Sequence, residues 1–164
     1  MNKAVFLDRD GVINQEIGDY VYRIEDFKFN VGLFAALRLL QEYDYKLIVV
    51  TNQGGIAKGR YTHDEVNELH SFMLDKLAEE GVQIDDVYFC PHHHTIAPCL
   101  CRKPNSMMVE KALAKHQIDA SKSFLIGDNE RDVLAGEKVG VKGILIEANT
   151  NILARVKMDI LNVV

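Results

Sequence analysis

Four short stretches of this chain carry side chains that could do chemistry together, and three of them end a run of apolar residues. Asp8-Arg9-Asp10-Gly11 places two carboxylates at i and i+2. Thr51-Asn52-Gln53-Gly54-Gly55 offers a hydroxyl followed by backbone N–H groups. Arg102-Lys103-Pro104 brings two cations, and Gly127-Asp128 is followed one turn later by Asp132. These residue types suit phosphoryl transfer through a covalent aspartyl-phosphate, because a carboxylate attacking phosphorus splits one hard displacement into two easier ones. An anion attacking an anion needs charge cancellation. A hard divalent cation with oxygen ligands is therefore expected, and Mg²⁺ commonly uses one or two carboxylates plus the phosphate. Lys103 is expected to neutralise phosphate oxygens, with the Thr51 hydroxyl and the groups of Asn52, Gln53 and Gly54 donating to them. A second acid must protonate the leaving alkoxide and later deprotonate water, which is the role expected of Asp10.

A different metal chemistry is written in "CPHHHTIAPCLC", residues 90 to 101, which holds all three cysteines and three of the six histidines. An odd number of cysteines so closely spaced does not make a disulfide framework, and metal binding accounts for them better. The pattern is C-x-H-x6-C-x-C. Three thiolates and one imidazole would close a tetrahedral Zn²⁺ site, and structural zinc sites are closed in this way whereas catalytic ones keep a position open. The expected zinc therefore holds a loop, the one that delivers Arg102 and Lys103. Three adjacent histidines, His92, His93 and His94, are candidates for the single imidazole.

These residues need a scaffold that brings distant segments to one edge. Ala4–Leu7, Lys46–Val50, Val87–Cys90, Phe124–Ile126 and Ile144–Ile146 are short and nearly continuous in apolar residues, the pattern of strands buried on both faces. Between them, Leu33, Leu37 and Leu40 share a helical face, as do Val66, Leu69, Met73 and Leu77, and Val109, Ala112 and Leu113. Thr62 and Glu65 form a capping box that starts the second of these helices. Strands alternating with helices predict a doubly wound α/β domain with a parallel sheet, occupying residues 1–164 as one unit. Ligands of such folds bind beyond the carboxyl ends of the strands, where all four stretches would meet. Taken singly each stretch has a plainer account: an acidic turn at Asp8, a helix N-cap at Asp128, an exposed loop lysine at Lys103. Four of them at one edge favour a site.

With these motifs in this order, the chain resembles the haloacid dehalogenase (HAD) superfamily of phosphatases, over nearly its whole length from Phe6 to about Ile146. "FLDRDGVIN", "VVTNQGGIAKG", "CPH", "CLCRKP" and "IGDNERD" resemble the branch whose substrates are heptose bisphosphates and histidinol phosphate. The resemblance implies Asp8 as nucleophile and Mg²⁺ ligand, and Asp10 as general acid/base and Mg²⁺ ligand through its carbonyl. Thr51 and Lys103 would stabilise the phosphoryl group, Asp128 would complete the Mg²⁺ site, and Asp132 would support it. It also implies Cys90, His92, Cys99 and Cys101 as the zinc set, leaving His93 and His94 as spares. Lys58, Arg60 and Arg102 would supply cations for a second, non-transferring phosphate, which favours a sugar bisphosphate over histidinol phosphate. Lys58 for arginine, "PNSMM" after "CRKP", and Asn129 after Asp128 depart from the branch pattern. No separate cap domain is expected, so access would be shaped by residues 12–27, by "GGIAKGR" and by the zinc loop.

Composition narrows the partners. A net charge of -5 disfavours nucleic acid. No apolar run approaches the roughly 20 residues of a spanning helix, and the start lacks the pattern of a signal peptide. A cytoplasmic, monomeric enzyme acting on a small phosphorylated metabolite is the expectation.

Overall fold

The computed structural model describes residues 1–164. Five strands, β1 (Lys3–Leu7), β2 (Tyr45–Asn52), β3 (Asp86–Cys90), β4 (Phe124–Gly127) and β5 (Lys142–Leu145), form one sheet in the order β3-β2-β1-β4-β5. Every pairing is parallel, so each connection must cross back over a face of the sheet. The crossovers carry α1 (Leu33–Glu42), α2 (His63–Glu79), α3 (Met107–Lys115) and α4 (Glu130–Glu137). A short α5 (Leu153–Arg155) continues into a π-helical stretch, Val156–Leu161. This is the expected doubly wound α/β architecture. No helix is long and apolar enough to cross a membrane.

Alternation along the central strand separates two cores, because successive side chains of a strand point to opposite faces. Val5 and Leu7 join a cluster of 22 buried residues with Leu33, Leu37 and Leu40 of α1 and Leu69, Met73 and Leu77 of α2. Ala4 and Phe6 face the other way, into a cluster of 11 that includes Met108, Val109 and Ala112 of α3 and also Cys90. The half-size core is the one beneath the cysteine loop, and Cys99 and Cys101 pack against its margin.

The capping box at Thr62 and Glu65 starts α2 as the spacing predicts. The fifth strand needs a correction. The apolar run Ile144–Ile146 predicts a strand there, but β5 spans Lys142–Leu145 with Lys142 and Leu145 exposed. The strand starts two residues earlier than the apolar run, and as an edge strand with one face open to water it buries Ile144 while leaving the apolar Leu145 exposed. No separate cap domain covers the carboxyl edge. Residues 12–27 lie across it as a loop, anchored by the buried Val12, Ile13, Val21 and Phe27.

Candidate active site

The strand order reverses between β1 and β4, and this switch point is where a doubly wound sheet leaves a crevice at its carboxyl edge. Asp8 follows β1, its N–H still donating to Ile126 O of β4 at 3.0 Å. Asp128 follows β4. Gly11, at φ +89°, lets the chain turn between them, and a Cβ there would lie 2.2 Å from an Asp128 carboxylate oxygen. Glycine is thus required twice over, by its backbone angle and by the approach of the acid.

Lys103 reaches in from the loop after β3 and is 1% exposed. Its Nζ donates to Asp8 Oδ1 at 2.8 Å and Val50 O at 2.7 Å, and pairs with Asp132 Oδ1 at 2.7 Å. An ammonium has three N–H bonds, and all three are committed. The carboxylates of Asp8, Asp128 and Asp132 gather within 4.8 Å of one another. Three acids against one lysine leave surplus negative charge in a buried place. Burial pushes the Asp8 carboxyl up to about 8, opposed by Lys103 and assisted by the charges of Asp132 and Asp10. Burial and the Asp132 charge raise Asp128 as well. A divalent cation among these oxygens would reverse both shifts, so the residues fit the expected Mg²⁺.

The Asp10 carboxylate lies outside that cluster, in a set of donors. Oδ1 accepts from Arg9 Nη2 and Asn14 Nδ2, each at 3.0 Å, and Oδ2 accepts from Gln53 Nε2 at 3.1 Å. Burial works to raise its pKa, but the Arg9 charge and these hydrogen bonds outweigh it and hold Asp10 below the usual carboxylate range. Arg9 is fully buried, and its Nη1 meets His70 Nε2 at 3.1 Å. Burial, with the Arg9 charge, lowers His70 to about 3, so its ring is a neutral acceptor. Arg9, Asn14, His70 and Tyr61 also belong to this network, and no motif in the sequence announces them. Arg9 occupies the variable position of D-x-D, and His70 sits on the same apolar helix face as Val66, Leu69 and Met73, where a packing role is the ordinary expectation.

Several of the residues expected to bind substrate also hold the framework together. Asn52 Nδ2 donates to Lys103 O at 3.1 Å, and Asn52 Oδ1 accepts from Lys103 N at 3.0 Å, clamping the lysine's backbone from both sides. The Gln53 amide is committed to Asp10, Thr51 and Tyr61. Gly54 leaves room for the zinc loop, since a Cβ there would lie 2.8 Å from the His93 ring and 3.0 Å from Arg102 Nη1. Arg102 donates to His92 O at 3.1 Å. Lys58 and Arg60 lie over the Tyr20 ring, and Arg60 pairs with Asp19 at 3.1 Å, so both are at the rim rather than beside Asp8. A cavity of about 300 Å³ opens over Asp8, Asp10, Lys103 and Asp128, and Glu16, Asp19, Tyr20, Asn129 and Arg131 also line it. Arg131 also lines an adjoining cavity of about 340 Å³ with Arg102 and His94.

Cys90, at the end of β3, gathers with Cys99, Cys101 and His92 Nδ1 within 4.8 Å. Cys99 Sγ lies 3.7 Å from Cys90 Sγ and 3.8 Å from Cys101 Sγ, close to the roughly 3.8 Å edge of a tetrahedron with zinc–sulfur bonds of about 2.3 Å. The Cys90–Cys101 edge is tighter, at 2.9 Å. His93 turns away, its Nδ1 accepting from Thr95 N at 3.2 Å, and its ring stacks on His94. The donor set fits zinc and selects one imidazole of the three.

Comparison with known proteins supplies a family for this geometry. The D-glycero-beta-D-manno-heptose-1,7-bisphosphate 7-phosphatase of Haemophilus influenzae is 44% identical over 147 residues, covering 87% of this chain and 79% of the relative. The chain belongs to the HAD-like phosphatases. It is a phosphoric monoester hydrolase. The HAD-hydrolase-like family profile itself matches residues 100–157. The alpha-anomer enzyme of Photorhabdus laumondii is 41% identical over 145 residues, 85% of this chain and 79% of that one. Among solved structures, the D,D-heptose 1,7-bisphosphate phosphatase of B. bronchiseptica, complexed with magnesium and phosphate, superposes with a TM-score of 0.84 at 29% identity, covering 96% of this chain and 86% of that one. HAD phosphatases use Mg²⁺.

Proposed function

We propose that this HAD phosphatase hydrolyses the 7-phosphate of a D-glycero-D-manno-heptose 1,7-bisphosphate through an aspartyl-phosphate on Asp8. The observation that carries the mechanism is the buried Asp8–Lys103–Asp132 arrangement beside Asp128, with Asp10 held apart among donors. Relatives at 41% and 44% identity with this activity support the substrate. Mg²⁺, held by Asp8, Asp128 and the Asp10 carbonyl, would supply positive charge to the phosphoryl oxygens. Asp8 attacks phosphorus and the ester P–O bond breaks. Asp10, ionised at rest, takes up a proton as the phosphate dianion binds beside it and gives that proton to the leaving sugar oxygen; it then takes one from the water that attacks the acyl-phosphate, releasing Asp8 and inorganic phosphate. Lys103 and the Thr51 hydroxyl stabilise the oxygens of the transferring group. Zinc on Cys90, His92, Cys99 and Cys101 would hold the loop that carries Lys103. Arg102, with Lys58 and Arg60 at the rim, would receive the phosphate that is not transferred.

One observation favours a second substrate. Glu16 and Asp19 line the same cavity and would suit the cationic amine of histidinol phosphate. Asp19 is already paired with Arg60, and Arg131 brings a cation to the same cavity, so the balance stays with the bisphosphate. Steady-state kcat/KM on the two heptose bisphosphate anomers, other sugar phosphates and histidinol phosphate decides the matter. The highest value is expected on a heptose 1,7-bisphosphate, and a higher value on histidinol phosphate overturns the assignment.

A further inference from the structure

Gln53 sits between two groups assigned to the chemistry and is 2% exposed. Its Nε2 donates to Asp10 Oδ2 at 3.1 Å and to Thr51 Oγ1 at 3.0 Å, so both N–H bonds are spent on the site. An amide can flip, but the flipped form would set its oxygen against the Asp10 carboxylate, which repels it. The N–H side must therefore face inward. That leaves the amide oxygen in a buried place needing a donor, since a buried acceptor left unpaired is destabilising. Tyr61 provides the donor, its hydroxyl reaching Gln53 Oε1 at 2.6 Å.

We propose that Tyr61 is a positioning residue for the phosphatase reaction: through Gln53 it fixes the Asp10 carboxylate and the Thr51 hydroxyl in their working orientations. The proposal rests on the roles given above to Asp10 and Thr51. Accepting from Gln53, the Thr51 oxygen keeps its own hydrogen for another partner, and within the protein that hydrogen meets only Asn52 O at a long 3.5 Å. The free hydrogen is the one a phosphoryl oxygen needs. Burial pushes the Tyr61 phenol up, so it stays a donor throughout the working pH range. The ring itself has a built seat. Tyr22 stacks on it at 5.1 Å, and a Cβ on Gly55 would lie 2.1 Å from its Cε1, so the second glycine of "QGG" is the space the tyrosine occupies.

The test uses the zinc-loaded enzyme with Mg²⁺ and p-nitrophenyl phosphate. Tyr61→Phe should lower kcat about tenfold, as a slackened catalytic pair does, with KM changed less than about twofold. Gly55→Ala, which pushes the ring off its seat without removing the hydroxyl, should also lower kcat. Tyr22→Phe keeps the stacked ring and should behave as the wild type. A fall in melting temperature with kcat per folded molecule unchanged would show that Tyr61 only packs, and overturns the proposal. So does a raised KM at unchanged kcat. Because the ester is generic, the outcome is independent of which natural substrate wins the kcat/KM comparison.

Discussion

Asp8 is held where a lone carboxylate would be unwelcome. It is 8% exposed, beside two more acids and one lysine whose three N–H bonds are already taken. Such a group is suited to being esterified, since forming the acyl-phosphate removes a buried carboxylate and gives Lys103 a phosphoryl oxygen in exchange. Asp8→Asn should reduce turnover about ten-thousandfold or more, the scale on which removing a covalent nucleophile acts. Its fold and zinc content should remain those of the wild type, checked by circular dichroism and elemental analysis. Retained kcat would refute the covalent mechanism. At this scale the gathering of Asp8, Lys103 and Asp128 was legible, because the proposed chemistry demands fixed residue types at strand ends. The chain was illegible where a residue acts by holding another. Nothing in the spacing tells that Asn52 clamps the Lys103 backbone or that His70 accepts from Arg9, because those pairs exist only after the sheet brings them together.

The element that delivers Lys103 has little regular structure of its own. Between Cys90 and α3 the backbone is turns and bends, packed against the smaller of the two cores. The proposed zinc on four ligands would replace the apolar contacts such a loop lacks, as structural zinc does in small domains. Purified protein should hold about one zinc per chain. Cys99→Ser should lose that zinc, lower the melting temperature, and cut turnover at least several-fold because Lys103 is no longer held in place, roughly the cost of a misplaced catalytic group. Added Mg²⁺ should not restore the loss. Active wild-type protein without zinc would remove the loop's proposed support. The C-x-H-x6-C-x-C spacing announced this element plainly, since thiolates and imidazoles in such density have few other uses. The fifth strand was legible in place but not in extent, because Lys142 and Gly143 pair with β4 ahead of the apolar run.

For the whole molecule, the buried excess of negative charge ties stability to the cation. A ligand bound only by the folded state stabilises it by mass action. At Mg²⁺ about a hundredfold above its dissociation constant the gain is about 2.7 kcal/mol, which for a chain of this size raises the melting temperature by roughly 5–10 °C. The rise should be lost in Asp128→Asn. A melting temperature indifferent to Mg²⁺ in the wild type would mean the three carboxylates do not form its site. The doubly wound fold could be read from alternation of apolar runs and helical faces, and the position of the site from where the motifs fall relative to the strands. The two unequal cores could not, because which face a helix covers is decided by the crossover and not by the helix.

The strand order has a consequence for synthesis. β1 is made first yet lies in the middle of the sheet, and Lys103 is made 95 residues after Asp8. β2 and β3 extend the sheet on one side of β1, while its other side waits for β4. Until then Val5, Phe6 and Leu7 present an open apolar edge, the kind of surface that recruits other chains. A nascent or truncated chain lacking β4 would therefore be both inert and adhesive. Closing that edge brings Asp128 to Asp8, so the step that makes the protein safe from aggregation is also the step that makes it an enzyme.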